Sequence, residues 1–248
     1  MNTPQRRVTV INDGRFYAGP PLARFLAARD HNVVIGDAPS ELIASLESAG
    51  VQAVSVQGVN SRGNTQGFQQ LVTSALEHFG RIDSASMFSG QIITGSILKS
   101  TREDLDAVYE GCLVLPYEFL KAVLPVMKVQ ESGQVLIITS ASGARPTPGA
   151  PLYSSLRAAA SMLARNAASE MAKHGVQVNA VGTNFMDFPE FLRASGATDP
   201  EVRKKVESQV PLHRLGTLDE FASFCMPYLD GTSRFATGQF VSFSGGWS

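Results

Sequence analysis

The 248-residue sequence predicts an α/β fold with a doubly wound, parallel sheet of seven strands and helices on both faces. Short runs rich in β-branched residues alternate with longer helical stretches, and no repeat or linker interrupts the alternation. Parallel neighbours need a crossover, which is usually a helix, so this alternation indicates parallel strands. We therefore expect residues 1–248 to form a single domain.

The predicted elements follow one another from end to end of the chain. The predicted strands are 8–12, 33–36, 51–56, 84–88, 134–139, 177–182 and 239–243. The predicted helices are 20–29, 40–49, 65–80, 104–128, 153–174, 200–209 and 218–229. Residues 135–139 read VLIIT and are apolar on both faces, as expected for a sheet covered on both sides. In such a Rossmann-like fold, ligands bind at the carboxyl ends of the strands.

Composition and charge exclude several functions. The formal net charge is -1, with no basic run that could follow a phosphate backbone, so no nucleic-acid partner is expected. Cys112 and Cys225 lie far apart, which predicts neither a disulfide framework nor a zinc site. The first apolar run is too short for a signal peptide or a membrane span. A cytoplasmic protein that acts on a small molecule is the expectation.

A catalytic candidate follows the fifth predicted strand. Ser140 stands at the strand end, Tyr153 thirteen residues later at a helix start, and Arg157 one helical turn further on. The i, i+4 spacing places phenol and guanidinium side by side, and a fixed cation stabilises a tyrosinate. Tyr153 can then act as a general base on a substrate oxygen bound by Ser140. Thr139 and Ser142 are rival hydroxyls, but Ser140 fits the spacing.

This spacing resembles the active site of the short-chain dehydrogenases/reductases, with arginine in place of their lysine. Residues 174–182 (HGVQVNAVG) and 237–246 (TGQFVSFSGG) resemble that family's sixth and closing strands, so the resemblance covers nearly the whole chain. In the family's dehydrogenases, Thr-Gly-x-x-x-Gly-x-Gly follows the first strand and approaches the dinucleotide. Here residues 12–19 read NDGRFYAG, which puts Asp13 and Tyr17 in two of the three glycine positions.

Arg157 and the aromatic loop together resemble the halohydrin dehalogenases, a branch of the same family. Its members carry Ser, Tyr and Arg, and an aromatic residue in Thr-x-x-x-x-Phe/Tyr-x-Gly; Asn12 replaces the threonine here. The resemblance implies a carbon-halide lyase without a cofactor, which closes vicinal haloalcohols to epoxides and opens epoxides with azide, cyanide, nitrite or halide. It also implies a homotetramer that packs through helices 104–128 and 153–174, with no membrane partner.

The resemblance further implies a halide site in the segment GTNFMDFPEFL (182–192), which follows the sixth strand. The residues expected to line it are Tyr17, Thr183, Asn184, Phe185 and Met186. Backbone N–H groups, an amide and the positive edges of rings stabilise an anion. Phe188 and Phe191 are expected to cover the core instead.

Two alternatives stay open. A divergent NAD(P)-dependent dehydrogenase would use Asp37, at the end of the second predicted strand, on a ribose, and Tyr153 as the acid of a carbonyl reduction. A solvent-facing loop explains that aspartate equally well. A non-catalytic binding protein is the third hypothesis, and the intact spacing of Ser140, Tyr153 and Arg157 argues against it.

Overall fold

A computed structural model describes residues 6–61, 63–90 and 92–248, and it confirms the predicted fold class. One sheet holds seven parallel strands in the order β3-β2-β1-β4-β5-β6-β7. The strands are β1 (Val8–Ile11), β2 (Asn32–Gly36), β3 (Ala53–Val56), β4 (Ser84–Phe88), β5 (Gly133–Ser140), β6 (Val176–Thr183) and β7 (Phe240–Phe243).

The helices lie close to their predicted positions. They are α1 (Gly19–Ala27), α2 (Ser40–Ser48), α3 (Gly67–Phe79), α4 (Arg102–Tyr109), α5 (Leu115–Gln130), α6 (Pro151–Met171), α7 (Pro189–Ser195), α8 (Pro200–Glu207) and α9 (Leu218–Cys225). The predicted helix 104–128 is helical throughout, but a π-helical turn at Glu110–Val114 separates α4 from α5. Helix α7 was not predicted, since seven residues give too short a periodic pattern.

Side chains on the two faces of the sheet enter two separate apolar clusters. Val10 belongs to the cluster that contains Phe119, whereas its neighbour Ile11 belongs to the cluster that contains Phe221. Successive residues of a strand point to opposite faces, so helices on both sides are needed to bury them. Cys112 and Cys225 are both buried free thiols, as the absence of a disulfide pattern predicts.

The strand order reverses between β1 and β4, and this opens a crevice at their carboxyl ends. Asn12 closes the base of that crevice. Its amide donates from Nδ2 to the Phe88 carbonyl at 2.9 Å, and its Oδ1 accepts the Phe88 N–H at 3.0 Å. Asn12 thus anchors the loop after β1 to the end of β4.

Among the described residues, no helix combines the length and apolar character that crossing a membrane requires. The same part of the chain contains no group of three or more His, Cys, Asp or Glu side chains that could bind a metal ion.

Candidate functional site

Tyr153 and Arg157 lie side by side, as their spacing on one helix predicts. Both belong to α6, and Ser140 is the last residue of the neighbouring strand β5. All three are buried. The guanidinium carbon of Arg157 lies 4.9 Å from the centroid of the Tyr153 ring, which stabilises the cation against the ring face. Their roles in catalysis remain a prediction.

Arg157 is a buried cation without a carboxylate partner. No ion pair involves it within 6–61, 63–90 and 92–248, and its Nε has no hydrogen-bond partner there. Burial disfavours the charge, but interactions with Tyr153, Cys112 and Tyr17 hold the pKa of Arg157 above its ordinary value. A buried cation with no carboxylate partner among the described residues favours an anion nearby, either a tyrosinate or a ligand.

The Ser140 hydroxyl is weakly held in the chain. It donates to the Thr183 carbonyl at 3.3 Å and accepts the N–H of Ser142 at 3.2 Å. The 3.3 Å donation is longer than the usual O–H···O bond, so a substrate oxygen can compete for the Ser140 hydrogen. Thr139, by contrast, donates to the Arg157 carbonyl at 3.3 Å and ties α6 to β5.

Tyr17 reaches across the carboxyl end of the sheet. Its hydroxyl lies 2.6 Å from the Thr183 hydroxyl at the end of β6, although Tyr17 itself belongs to the loop after β1. Its backbone is left-handed, with φ of 52°. Burial raises the pKa of Tyr17, and this outweighs the opposing hydrogen bond to Thr183, so the phenol stays protonated.

Asp13, in the first altered glycine position, carries its own counter-ion. Arg15 donates to the buried Asp13 carboxylate from Nε at 2.9 Å and from Nη2 at 2.5 Å. The last glycine of the motif is still required by packing, because a Cβ on Gly19 would lie 1.8 Å from the Asp13 carbonyl oxygen. The loop 12–19 therefore still packs closely against the start of α1. The Asp13 and Tyr17 side chains, however, occupy space above that loop that glycines would leave open.

The Asp37 carboxylate is occupied by the chain itself. It accepts the N–H of Gly58 at 2.5 Å, the N–H of Asn60 at 2.8 Å and the Asn60 amide at 2.9 Å. Burial disfavours the charge, but these hydrogen bonds hold the pKa of Asp37 below its ordinary value. A ribose would have to compete with three donors, so Asp37 fits a loop anchor better than a cofactor contact.

The residues at and after the end of β6 contact two different groups of side chains. Thr183 meets Tyr17, and Met186 belongs to the same apolar cluster as Tyr17. Phe185 instead packs against Phe191 and Trp247, with ring centroids 6.1 and 5.6 Å apart. Its left-handed backbone, with φ of 55°, and the 2.9 Å bond from its N–H to the Asn184 Oδ1 turn the chain there.

Phe188 takes the place beside Tyr17 that the sequence assigned to Phe185. The rings of Tyr17 and Phe188 lie 4.7 Å apart, while Phe88 and Phe221 flank Tyr17 at 5.3 and 6.3 Å. The sequence offered no signal for this contact, because Phe188 and Tyr17 belong to segments far apart in the chain. Asn184, Phe185 and Met186 line a cavity of about 160 Å³ that also borders Leu212, Arg214 and Phe243.

Comparison with known proteins agrees with this architecture. A family model described as enoyl-(acyl carrier protein) reductase matches residues 19–248. A 3-oxoacyl acyl-carrier-protein reductase from Synechocystis sp. is 30% identical, over 99% of this chain and 98% of the relative. A 2,5-dichloro-2,5-cyclohexadiene-1,4-diol dehydrogenase from Sphingobium indicum is 25% identical, over 98% of this chain and 96% of the relative.

Two solved structures extend the comparison. A structure titled "Dehalogenation enzyme" superposes with a TM-score of 0.83 at 26% identity, and the match covers 98% of this chain and 99% of the other. The structure of levodione reductase superposes with a TM-score of 0.86 at 25% identity, covering 97% of this chain and 96% of the other.

Proposed function

The chain belongs to the short-chain dehydrogenase/reductase superfamily, and from this premise we propose that it is a halohydrin dehalogenase. Such an enzyme is a carbon-halide lyase that converts a vicinal haloalcohol into an epoxide and a halide ion, with no nicotinamide cofactor. The observation that carries the proposal is the position of Tyr17.

Tyr17 lies where a dinucleotide would have to pass. Adjacent strands are about 4.8 Å apart, and β6 is three strands from β1 in the sheet order. The contact from Tyr17 to Thr183 therefore spans the carboxyl ends of the strands between them. A cofactor that runs from the β1 loop to β6 would collide with this side chain, whereas a small haloalcohol and an anion need far less room.

The reaction follows from the acid–base pair. Tyr153, as tyrosinate, takes the hydroxyl proton of a haloalcohol whose oxygen accepts a hydrogen bond from Ser140. The alkoxide oxygen then attacks the adjacent carbon, the carbon–halogen bond breaks, and the electron pair leaves with the halide. Arg157 stabilises the tyrosinate, because its buried charge has no carboxylate partner among the described residues.

Epoxide opening is the same sequence in reverse. An anion attacks one epoxide carbon while the protonated Tyr153 donates to the epoxide oxygen. The anion lies beside Thr183 and Met186, at the end of β6, where Tyr17 is also found. Halide, azide, cyanide and nitrite are the expected nucleophiles.

The relatives support the alternative, an NAD(P)-dependent dehydrogenase/reductase, better than they support the lyase. The two named relatives are a reductase and a dehydrogenase. The local residues favour the lyase. The Tyr17 and Asp13 side chains occupy the loop that would face a pyrophosphate. The Asp37 carboxylate, which would bind a ribose, already accepts hydrogen bonds from Gly58 and Asn60. The two functions make opposite predictions about cofactor binding.

Halide release and cofactor binding distinguish the two. We expect the purified protein to release bromide from a small bromo-alcohol at mildly alkaline pH, and Tyr153→Phe to release none. Tyr228→Phe, at a tyrosine that packs on Phe224 and has no role in the proposed site or interface, is the matched control. NADH and NADPH should cause neither a fluorescence change nor a thermal shift. Saturable NAD(P)H binding without halide release would replace the lyase by the oxidoreductase.

We also propose that the protein is a homotetramer. Helices α4, α5 and α6 leave large apolar side chains exposed, namely Leu105, Tyr109, Tyr117 and Met162. Burial of this surface against other copies of the chain would be favourable. Size-exclusion chromatography with light scattering should give four times the chain mass of 26.5 kDa, and a monomer would contradict the proposal.

A further inference from the structure

Two hydroxyl groups meet at the end of β6. The Tyr17 and Thr183 oxygens are 2.6 Å apart, and Thr183 pairs in register with Ser140 of β5. Side chains of paired residues in parallel strands leave the same face of the sheet, so Thr183 and Ser140 project toward the same region. The Ser140 hydroxyl also lies 3.3 Å from the Thr183 carbonyl oxygen, so the pair of hydroxyls is found beside Ser140.

The two hydroxyls together leave only one O–H group free to donate a hydrogen bond to a ligand. Together they carry two hydrogens, and the bond between them uses one. Either hydroxyl satisfies the 2.6 Å contact as donor, and the greater acidity of a phenol than of an aliphatic alcohol favours Tyr17 as the donor and Thr183 as the acceptor. The Thr183 hydrogen is then left over, and it has no other acceptor among the described residues. The pair therefore offers one O–H donor, carried by Thr183.

The rings around Tyr17 hold its hydroxyl oxygen beside Thr183. Phe88 and Phe188 lie 5.3 and 4.7 Å from the Tyr17 ring, and Phe221 lies 6.3 Å from it. While the Tyr17 O–H points at the Thr183 oxygen, that hydrogen is not available to a ligand. Donation from Tyr17 also polarises the Thr183 hydroxyl and makes it a stronger donor.

We infer that the Thr183 hydroxyl donates the hydrogen bond that stabilises the departing halide, and that Tyr17 is the positioning residue that orients it. The inference rests on the proposed dehalogenase function. The ligand class is a small monovalent anion that accepts one strong hydrogen bond. A donor that is already oriented costs no reorganisation when the carbon–halogen bond breaks.

The test compares three substitutions in ring closure. Thr183→Val removes the donor, and Tyr17→Phe removes only the group that orients it. The Tyr17→Phe/Thr183→Val double variant removes both hydroxyls, so no buried phenol is left unbonded if the single valine variant is unstable. Thr183→Ser keeps a hydroxyl and should rescue most of the activity. Thr73→Val, at an exposed position of α3, is the matched control.

Thr183→Val and the double variant should lose about 100-fold in kcat, the usual effect of removing one oriented donor, with little change in KM. Tyr17→Phe should lose clearly less. The loss in Thr183→Val should be greater for a chloro-alcohol than for an iodo-alcohol, because chloride accepts the stronger hydrogen bond. A merely structural role would slow all leaving groups equally, and that result would overturn the inference, as would a larger loss in Tyr17→Phe than in Thr183→Val.

Failure of the proposed function would be recognised separately. If the wild-type protein released no halide, bromide binding would still be measured by thermal shift in wild type, Thr183→Val and Thr183→Ser. Stabilisation by bromide that is lost in the valine variant and kept in the serine variant would support the donor without the lyase. No effect of bromide on the wild-type protein, or an equal effect on all three proteins, would reject the donor as well.

Discussion

Arg157 donates a hydrogen bond of 2.5 Å from Nη2 to the carbonyl oxygen of Ser89, just beyond the end of β4. The Ser89 hydroxyl donates in turn to the Gly111 carbonyl at 2.7 Å, within the π-helical turn between α4 and α5. Single π-helical turns free backbone groups from the regular helical pattern and are frequent at functional sites. The orientation of the Arg157 guanidinium thus depends on two segments far from it in sequence.

Substitution of Arg157 should show whether its shape or only its charge matters. A lysine keeps the charge but lacks the planar fork that reaches the Ser89 carbonyl beside the Tyr153 ring. We expect Arg157→Lys to lose about 10- to 100-fold in kcat for halide release, and Arg157→Met to be inactive. Arg165→Lys, on the exposed side of the same helix, is the control. Full activity in Arg157→Met would remove this residue from the mechanism.

At position 17, a glycine variant should be more stable than an alanine variant, the reverse of the usual order. The Tyr17 φ of 52° is a conformation that costs a non-glycine residue about 1 kcal/mol, so Tyr17→Gly should be more stable than Tyr17→Ala by about that amount. Both should be less stable than wild type, by about 2–4 kcal/mol, since three ring contacts are lost. Urea denaturation measures the difference. An alanine variant more stable than the glycine variant would mean that the loop does not hold this conformation.

Asp37 should affect stability and leave halide release intact. Replacement by asparagine removes a charged acceptor of three hydrogen bonds, which should cost about 1–2 kcal/mol at pH 7. The folded pKa of Asp37 is lowered, so its stabilisation is present above the unfolded pKa and is lost as the pH falls below it. The difference between wild type and Asp37→Asn in urea denaturation should therefore shrink toward pH 3. A loss of NADH binding in this variant would instead support the oxidoreductase.

His31 should make the fold sensitive to acid. It is buried, it lies 2.9 Å from the Thr9 hydroxyl, and burial lowers its pKa to about 4. The unfolded chain therefore binds more protons between pH 6.5 and 4, so stability is complete above that range and falls by up to about 3 kcal/mol across it. His31→Asn should flatten this slope in thermal denaturation, whereas His78→Asn, at an exposed site, should not. An unchanged slope in His31→Asn would assign the acid sensitivity to other groups.

The order of strands and helices was predictable from the sequence, because each strand must be apolar on both faces when helices cover both sides of the sheet. The adjacency of Tyr153 and Arg157 was predictable for a similar reason, since it follows from the repeat of a single helix. Both are local properties. Residues 12–19 likewise revealed, without any structure, that Asp13 and Tyr17 stand in glycine positions.

Only the tertiary structure decided what those residues contact. It placed the Tyr17 hydroxyl against Thr183, and it placed Phe188 rather than Phe185 beside the Tyr17 ring. It also showed that the Asp37 carboxylate accepts hydrogen bonds from Gly58 and Asn60. These contacts join segments far apart in the chain, and they depend on strand register and on left-handed residues in loops. Neither is encoded in the periodicity of a single segment. The sequence therefore determined the sheet and the adjacency of Tyr153 and Arg157, while the packing of the loops determined which residues surround Tyr17.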